Sequence, residues 1–344
     1  MDQDKLEALR KKYDVKAVDE TFSPKFKRVA DIQFQGGRRK LPYGGIPTLL
    51  DAPISETIEG LDAALIGVPM DLAVTNRNGS KFGPRAVRAM ERIGPYNHFL
   101  DVLPTYEMNC ADVGDVPFRS RFNLEMCHED IEVYYQKVRA AGVIPVSVGG
   151  DHSVTRSILN GLAKGEPVGC VHIDAHADTA GEYEESRFQH GGPFRYAVLE
   201  GSLDPERTIQ IGVRGSAEFL WDFSYESGMT VIHAEKFAEM GVAAVLEKAK
   251  EVVGDKPFYS SREVEALDPC VAPGTGTPEV GGLYPREVQA LLRGLAGMPV
   301  MGGDVVEIAP QYDATTNTTQ VGSQMLFEIL SLVALSPLIK NKPA

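Results

Sequence analysis

The sequence predicts an α/β protein in which helices cover both faces of a parallel β-sheet. Short apolar runs alternate with helical segments from about residue 60 onward. The run at 168–173 is apolar and rich in β-branched residues, as a strand buried on both faces requires. Since no internal repeat or linker follows residue 60, we expect one domain over 56–344, preceded by an extension over 1–55.

The individual elements follow from apolar periodicity and from the Gly and Pro breakers between them. The expected strands are short apolar segments at 63–69, 109–113, 143–148, 168–173, 208–213, 229–233, 258–265 and 299–306. Pro84 occupies a favoured first-turn position and marks a helix that begins near Arg85. Further helices are expected at 123–141, 153–163, 234–240, 241–253, 285–295 and 323–335.

The extension has a different character. A short charged helix at about 4–13 precedes a segment with few periodic apolar positions and many breakers. We expect this segment to pack on a surface or on a neighbouring subunit, and a free solvated arm is the alternative.

Charge and cysteine usage restrict the classes of function. The 344 residues carry a formal net charge of −13 with no Lys/Arg cluster, which argues against nucleic acid or an anionic membrane as a partner. The four cysteines are scattered without a CxxC pair, as is typical of reduced thiols in the cytoplasm. No signal-like apolar region begins the chain, and no stretch approaches the ~18 apolar residues of a membrane span. We therefore expect a cytoplasmic protein.

A set of metal-type ligands follows the strand at 168–173. Asp174, His176 and Asp178 recur with a spacing of two, so an extended backbone would direct all three side chains to one side. Two carboxylates and an imidazole suit manganese, zinc or nickel. A polar strand end with solvated carboxylates is the simpler alternative.

Other polar motifs lie at similar positions. The sequence GGDH presents His152 from a tight turn, and Glu307 lies just beyond the last strand. Glu263 and Glu265 share one face of a strand by the same period-two rule. His190 begins the loop motif HGGPF and suits a proton donor or shuttle near neutral pH. Each motif alone has a simpler explanation, but the carboxyl ends of parallel strands form the site in open α/β sheets, so together they predict one site.

Taken together, the motifs resemble those of the ureohydrolase family, which includes arginase, agmatinase and guanidinobutyrase. The resemblance extends from about 60 to 335 in the family's order: GGDH, DAHAD, HGxPF, ALDPxxAPGTGTPxxGG and DVVEIxP. It implies a three-layer α/β/α fold with an eight-stranded parallel sheet, the arginase/deacetylase-like fold. The APGTGTP loop and the DAHAD spacing favour this family over the related zinc deacetylases.

The resemblance also implies a reaction and residue roles. Family members hold two divalent metals, usually manganese and in some members nickel. The metals activate a hydroxide that attacks the guanidino carbon, and urea or a urea-like product leaves. By position, the implied metal ligands are His152, Asp174, His176, Asp178, Glu263 and Glu265; the implied catalytic residues are His190, Glu307 and Asp178; and the substrate-binding residues are Glu307, His190 and Gly192.

The chain departs from the family pattern at four positions. Family members carry Asp-x-Asp before Ala-Leu-Asp-Pro, where this chain has Glu263 and Glu265. Each glutamate adds a methylene, roughly 1.5 Å of reach, to a cage whose metal–oxygen distances tolerate only about 0.2 Å. Arg262 stands where a large apolar residue is usual, and a buried arginine is costly unless paired. Gly192 replaces a common threonine and is expected to widen the substrate side of the pocket.

Two hypotheses follow. In the first, the chain is a metal-impaired subunit, inactive alone, that supports a homologous active subunit in a heteromeric trimer or hexamer. In the second, it is an active binuclear metallohydrolase of guanidino or biguanide compounds with Glu-substituted ligands. The sequence RRKLPY at 38–43 resembles the guanidine and biguanide hydrolase branch, which includes the two-subunit metformin hydrolase. This resemblance and the altered ligand strand favour the first hypothesis, and in either case the reaction is hydrolysis of a linear amidine.

Overall fold

The computed structural model describes residues 2–14, 44–90, 95–163 and 165–340. Within these ranges, eight strands form one parallel sheet in the order β2-β1-β3-β8-β7-β4-β5-β6. The strands are β1 (Ala63–Val68), β2 (Cys110–Asp115), β3 (Ile144–Gly149), β4 (Val168–Ile173), β5 (Leu203–Val213), β6 (Thr230–His233), β7 (Phe258–Glu263) and β8 (Val300–Val306). The predicted eight-stranded parallel sheet is confirmed.

The helices of the described ranges alternate with these strands. They are α1 (Gln3–Tyr13), α2 (Gly83–Arg88), α3 (Pro104–Glu107), α4 (Leu124–Ala140), α5 (Val154–Leu162), α6 (Pro193–Leu199), α7 (Asp222–Ser227), α8 (Ala234–Val253), α9 (Pro285–Gly294), α10 (Asn317–Leu335) and α11 (Pro337–Lys340). Pro84 lies in the first turn of α2, as predicted. The predicted helices at 234–240 and 241–253 form α8, whose backbone is interrupted at Gly241 with φ 74°.

Helices cover both faces of the sheet and give the three-layer α/β/α fold. Alternate residues of β4 point to opposite faces, so Val171 and Ile173 join one apolar core while Cys170 joins the other. Side chains of α8, α9 and α10 complete the first core, and those of α4, α5 and α6 complete the second. The sheet is therefore buried on both faces and carries the polar residues at its carboxyl edge.

One strand ends earlier than the sequence pattern predicts, and a second is not followed by the extended backbone that the spacing of Asp174, His176 and Asp178 implied. β7 ends at Glu263, and Val264–Ala266 form a 3₁₀ turn, so the expectation that Glu265 continues the strand is wrong. β4 ends at Ile173, and the residues after it leave the extended conformation, with Asp178 at φ 54°. Their side chains therefore meet through turns rather than through strand periodicity.

The extension is described only in part. α1 has no buried residue, and the sequence RRKLPY at 38–43 lies outside the described residues. The division between 1–55 and 56–344 therefore stays a prediction. Within the described ranges, no helix combines the length and the hydropathy of a membrane span.

Candidate metal and substrate site

The four central strands of the sheet bring the predicted residues together. β3, β8, β7 and β4 are neighbours in that order, although they are far apart in the chain. His152 follows β3, Asp174 follows β4, Glu263 ends β7 and Glu307 follows β8. Because the strands are parallel, all four side chains lie at the same edge of the sheet.

A first donor group consists of His152, Asp174, Asp178 and Glu263, all buried. The Nδ1 atom of His152 lies 2.8 Å from Oδ2 of Asp178, 3.0 Å from Oε2 of Glu263 and 3.2 Å from Oδ2 of Asp174. The ligand atoms of the group all lie within 4.8 Å of one another. One ion can therefore contact all four side chains.

The turn that presents His152 requires glycine and a buried carboxylate. A Cβ atom on Gly150 would lie 1.6 Å from the backbone oxygen of Met70, so no larger residue fits there. Asp151 accepts hydrogen bonds from the backbone N–H groups of Ala73 and Ser153, both at 3.0 Å. The GGDH motif thus fixes the position of His152 through its own backbone.

A chain of hydrogen bonds behind His152 orients its ring. Nε2 of His152 lies 3.0 Å from Oγ of Ser261, which donates to Oδ1 of Asp304 at 2.7 Å. Since the Ser261 proton goes to Asp304, the Ser261 oxygen accepts from Nε2–H, and Nδ1 is left facing the carboxylates. The sequence analysis missed Ser261 and Asp304. Ser261 lies two residues before Glu263, so the period-two rule was the signal that could have found it.

Asp174 is also held from behind. Nε2 of His172, inside β4, lies 2.8 Å from Oδ2 of Asp174, and the backbone N–H of His176 donates to Oδ1 at 2.8 Å. Nδ1 of His172 faces the side-chain nitrogen of Gln210 at 3.2 Å, so it accepts there and Nε2 donates. His172 is thus a positioning residue that the sequence analysis did not identify.

The first donor group is electrostatically incomplete without a cation. Burial and the neighbouring Asp174 and Glu265 raise the pKa of Glu263 well above its ordinary value. Burial lowers the pKa of His152, but Asp178 and Asp174 outweigh it and raise that pKa well above the ordinary value. Without a metal, protons would have to separate these acceptors. The residues present therefore fit a divalent ion, which would replace those protons.

A second donor group consists of His176, Glu263 and Glu265 and shares Glu263 with the first. Nδ1 of His176 lies 3.2 Å from Oε2 of Glu265. Glu265 is already well bonded: Oε1 accepts from Oγ1 of Thr275 at 2.5 Å and from N–H of Thr277 at 2.6 Å, and Oε2 accepts from Oγ1 of Thr277 at 2.8 Å.

These contacts also set the charge of Glu265. Burial alone would raise its pKa, but His176, Thr275 and Thr277 lower it to about 2. Both threonines belong to the APGTGTP loop, which entered the sequence-based prediction only as a family motif and not as part of the site. The longer glutamate reaches this loop, so a second ion would share its carboxylate with protein donors.

Glu307 presents a free oxygen beside the two groups. Its residue is fully buried, and Oε1 accepts from N–H of His152 at 2.9 Å and lies 2.8 Å from Nδ1 of His190. Among the residues that the structure describes, Oε2 has no hydrogen-bond partner. Burial raises the pKa of Glu307. A buried carboxylate oxygen without a partner is a site for a cationic hydrogen-bond donor.

His190 joins Glu307 to the loop at 75. Its Nε2 lies 2.8 Å from Oγ1 of Thr75. Burial lowers the pKa of His190, but the charge of Glu307 and its hydrogen bond outweigh burial and raise that pKa to about 9. His190 also lines the open cleft, where it can exchange protons with a bound molecule.

Arg262, one of the four departures from the family pattern, is buried within β7. Arg262 is 1% exposed between Ile173 and Val305, and its Nη1 donates to the backbone oxygens of Val171 and Ser261 at 2.6 and 2.7 Å. Its Nε and Nη2 have no partner, so it pairs with no glutamate of the described chain. Burial lowers the pKa of Arg262 to about 10.

Gly192 does not line the cleft, although Gly191 does. A Cβ atom on Gly192 would lie 2.8 Å from the backbone oxygen of Ala180 and 2.9 Å from Nε2 of Gln189. Its predicted contribution to substrate binding stays a prediction.

An open cleft of about 460 Å³ leads to the donor groups. The lining includes residues of both groups, His190, and a wall of larger apolar side chains. Asp178, Glu182, Tyr183, Arg214, Phe219 and Leu220 are among the lining residues.

Known proteins share both the sequence and the fold. The arginase family matches residues 61–331. The chain is 45% identical over 298 residues to guanidinopropionase from Pseudomonas aeruginosa, which covers 86% of this chain and 93% of that protein. It is 40% identical over 293 residues to mitochondrial agmatinase from Gallus gallus, which covers 84% of this chain and 86% of that protein.

Among solved structures, proclavaminate amidino hydrolase from Streptomyces clavuligerus superimposes with a TM-score of 0.81 and 34% sequence identity. The match covers 86% of this chain and 99% of that chain. The likeness therefore includes nearly the whole of the known structure.

Proposed function

The chain belongs to the arginase family, and from that premise we propose that it takes part in hydrolysis of a C–N bond in a guanidino or biguanide compound, releasing urea or a urea-like product. The relatives indicate guanidino-compound hydrolase activity. The observation that supports the proposal is the unpartnered, buried Oε2 of Glu307 beside two donor groups. A guanidinium is planar, cationic and rich in N–H donors, so it matches this oxygen.

Arginase-family proteins use divalent metals such as manganese, and the donor groups are compatible with them. The oxygen and imidazole donors suit manganese or nickel. When bound, such a metal lowers the pKa of water enough to supply hydroxide at neutral pH. In the proposal, His152, Asp174, Asp178 and Glu263 hold one ion, and His176, Glu263 and Glu265 hold the other.

The remaining roles belong to the buried Glu307 and to His190 and Asp178 of the cleft lining. Glu307 orients the guanidinium through Oε2, because Oε1 is occupied by His152 and His190. His190 moves a proton toward the leaving nitrogen, since its ring lies between Glu307 and the cleft. Asp178 is both a ligand and a catalytic carboxylate, because it belongs to the first donor group and lines the cleft.

A second candidate function is supported by the bonding of Glu265. If Thr275 and Thr277 hold its carboxylate too firmly, the second ion is weak or absent, and the chain acts as a metal-impaired subunit that supports a homologous active subunit. The assembly would be a metformin-hydrolase-like trimer or hexamer in the cytoplasm. Residues 1–55 would then pack on the neighbouring subunit, with 56–344 as the single catalytic-type domain.

Metal content and urea release of the purified chain test the proposal. The chain is supplied with manganese and with nickel, analysed for metal, and assayed with guanidino compounds and biguanides. Two ions per chain with urea release support an active hydrolase, and Glu307→Gln should then remove urea release while leaving metal content unchanged. If metal is bound but Glu307→Gln does not alter urea release, the assigned role of Glu307 is wrong.

The supporting-subunit candidate predicts a different result. The chain alone would hold less than two ions and release no urea, and the double change Glu263→Asp with Glu265→Asp would add metal and activity. A chain that holds two ions and releases urea unaided excludes this candidate. If neither the natural chain nor the double variant binds metal, both forms of the proposal fail.

A further inference from the structure

We propose that the cleft selects a guanidino compound whose far end is apolar and carries no carboxylate. This inference rests on the proposed function, because it assumes that the guanidinium lies at Glu307. It is narrower than the family's guanidino chemistry and differs from the acid that the name guanidinopropionase implies for one close relative.

The cleft lining offers no free lysine or arginine to a bound molecule. Arg214 is the only Lys or Arg among the cleft-lining residues of the described chain. Its five N–H groups donate to backbone oxygens: Nε to Val280 at 3.0 Å, Nη1 to Gly212 at 3.1 Å and Ala266 at 3.3 Å, and Nη2 to Glu279 at 2.7 Å and Glu265 at 2.8 Å. Arg214 is buried and holds the loops of the cleft. It has no N–H left for a carboxylate of a bound molecule.

The other charged side chains of the cleft lining do not attract a carboxylate either. The two histidines of the lining, His176 and His190, are held by Glu265 and Glu307. Glu182 adds a further carboxylate to the lining. A carboxylate at the far end of a substrate would therefore lose water and face negative charge without gaining an ion pair.

Large apolar side chains form one wall of the cleft. Phe219 and Tyr183 are 77% and 58% exposed, and both line the cleft with Leu220. Large apolar side chains that line an open cleft gain free energy when an apolar group covers them. The wall thus offers a favourable contact to an alkyl or aromatic tail and no cation to an acid.

Two probes of matched length test the inference. 3-Guanidinopropionate and n-propylguanidine differ only in whether the chain ends in a carboxylate or a methyl group. Their dissociation constants are measured by calorimetry or ligand-observed NMR on the full chain supplied with manganese. We expect n-propylguanidine to bind at least about tenfold more tightly. Equal or tighter binding of 3-guanidinopropionate overturns the inference while leaving the proposed function intact, and binding of neither probe overturns both.

Variants of exposed residues make the result specific to the cleft. Phe219→Ala should weaken n-propylguanidine about threefold or more, and Phe122→Ala, which changes an 81% exposed phenylalanine outside the lining, should have no effect. Leu220→Arg adds a free cation to the cleft. With this variant, 3-guanidinopropionate should bind more tightly than n-propylguanidine. If Phe219→Ala and Phe122→Ala act alike, or Leu220→Arg leaves the preference unchanged, the wall does not select the substrate.

Discussion

The two donor groups share Glu263 but differ in what surrounds their carboxylates. In the first group, the acceptors of Asp178, Asp174 and Glu263 converge on Nδ1 of His152. In the second, Glu265 accepts from three hydrogen-bond donors of the APGTGTP loop. The first group therefore needs a cation to relieve its acceptors, while the second is largely satisfied by protein.

This contrast indicates how a glutamate in place of aspartate changes a metal site. The longer side chain acts through the hydrogen-bond partners that it reaches. Glu263 still points into both groups, because it ends a strand. Glu265 lies within the 3₁₀ turn that follows β7 and meets Thr275 and Thr277. We therefore expect two unequal metal positions, with tighter binding in the first group.

The largest expected effect is loss of the first ion. Asp174→Asn replaces a charged ligand that lies between both groups, so metal affinity should fall at least about a hundredfold. Metal content by elemental analysis, with circular dichroism for folding, measures this. Asp255→Asn changes an exposed carboxylate away from the site and should leave metal content unchanged. Equal metal content in Asp174→Asn and the natural chain would remove the first group as a metal site.

A smaller effect is expected in the second group. Glu265→Asp withdraws the carboxylate from Thr275 and Thr277 toward His176, so the second ion should bind about tenfold more tightly. Stepwise titration with manganese resolves the weaker ion. The matched change Glu263→Asp should affect both ions, because both groups include Glu263. If Glu265→Asp weakens the second ion, the threonine contacts are not what limits it.

The same contrast between partnered and unpartnered groups applies to two buried cations. Arg262→Met removes a guanidinium with two unpartnered nitrogens and should raise the free energy of unfolding by about 1 kcal/mol. Arg214→Met removes a guanidinium bonded to many backbone oxygens and should lower it. Urea denaturation of both variants measures these changes, and destabilisation by Arg262→Met would show that its charge is used.

A pH dependence of stability is expected in the metal-free chain. The folded-state pKa of His190 is raised to about 9, so its contribution is fully present below its unfolded pKa of about 6.5 and is lost as pH rises through 9. Glu265, with a pKa of about 2, loses its contribution only as pH falls from about 4.5 through 2. Between about pH 7 and about pH 10, the natural chain should lose more stability than His190→Gln. A parallel loss in both would contradict the assignment to His190.

The sequence predicted the sheet and most of the residues that meet at its carboxyl edge, because apolar runs and polar motifs are local signals. It did not predict the turns: Asp178 lies at positive φ, and Glu265 lies beyond the end of β7. The alternation of side chains between two faces holds only in extended backbone. It therefore does not predict side-chain directions beyond the end of a strand.

Residues that form hydrogen bonds to the site residues from other parts of the chain could not be predicted from local sequence either. Thr75 contacts His190 from a loop far away in the chain, and nothing in its own neighbourhood marks it. The isolation of Arg262 depends in the same way on what three-dimensional packing leaves around it.

The position of β8 has a consequence for how the chain is made. β8 is the last strand to be synthesised, yet it lies between β3 and β7. Until it emerges, one half-sheet carries His152 and the other carries Asp174 and Glu263, each with an unpaired inner edge. β8 joins the halves, so the ion-binding position and the continuous sheet both require this last strand to be in place.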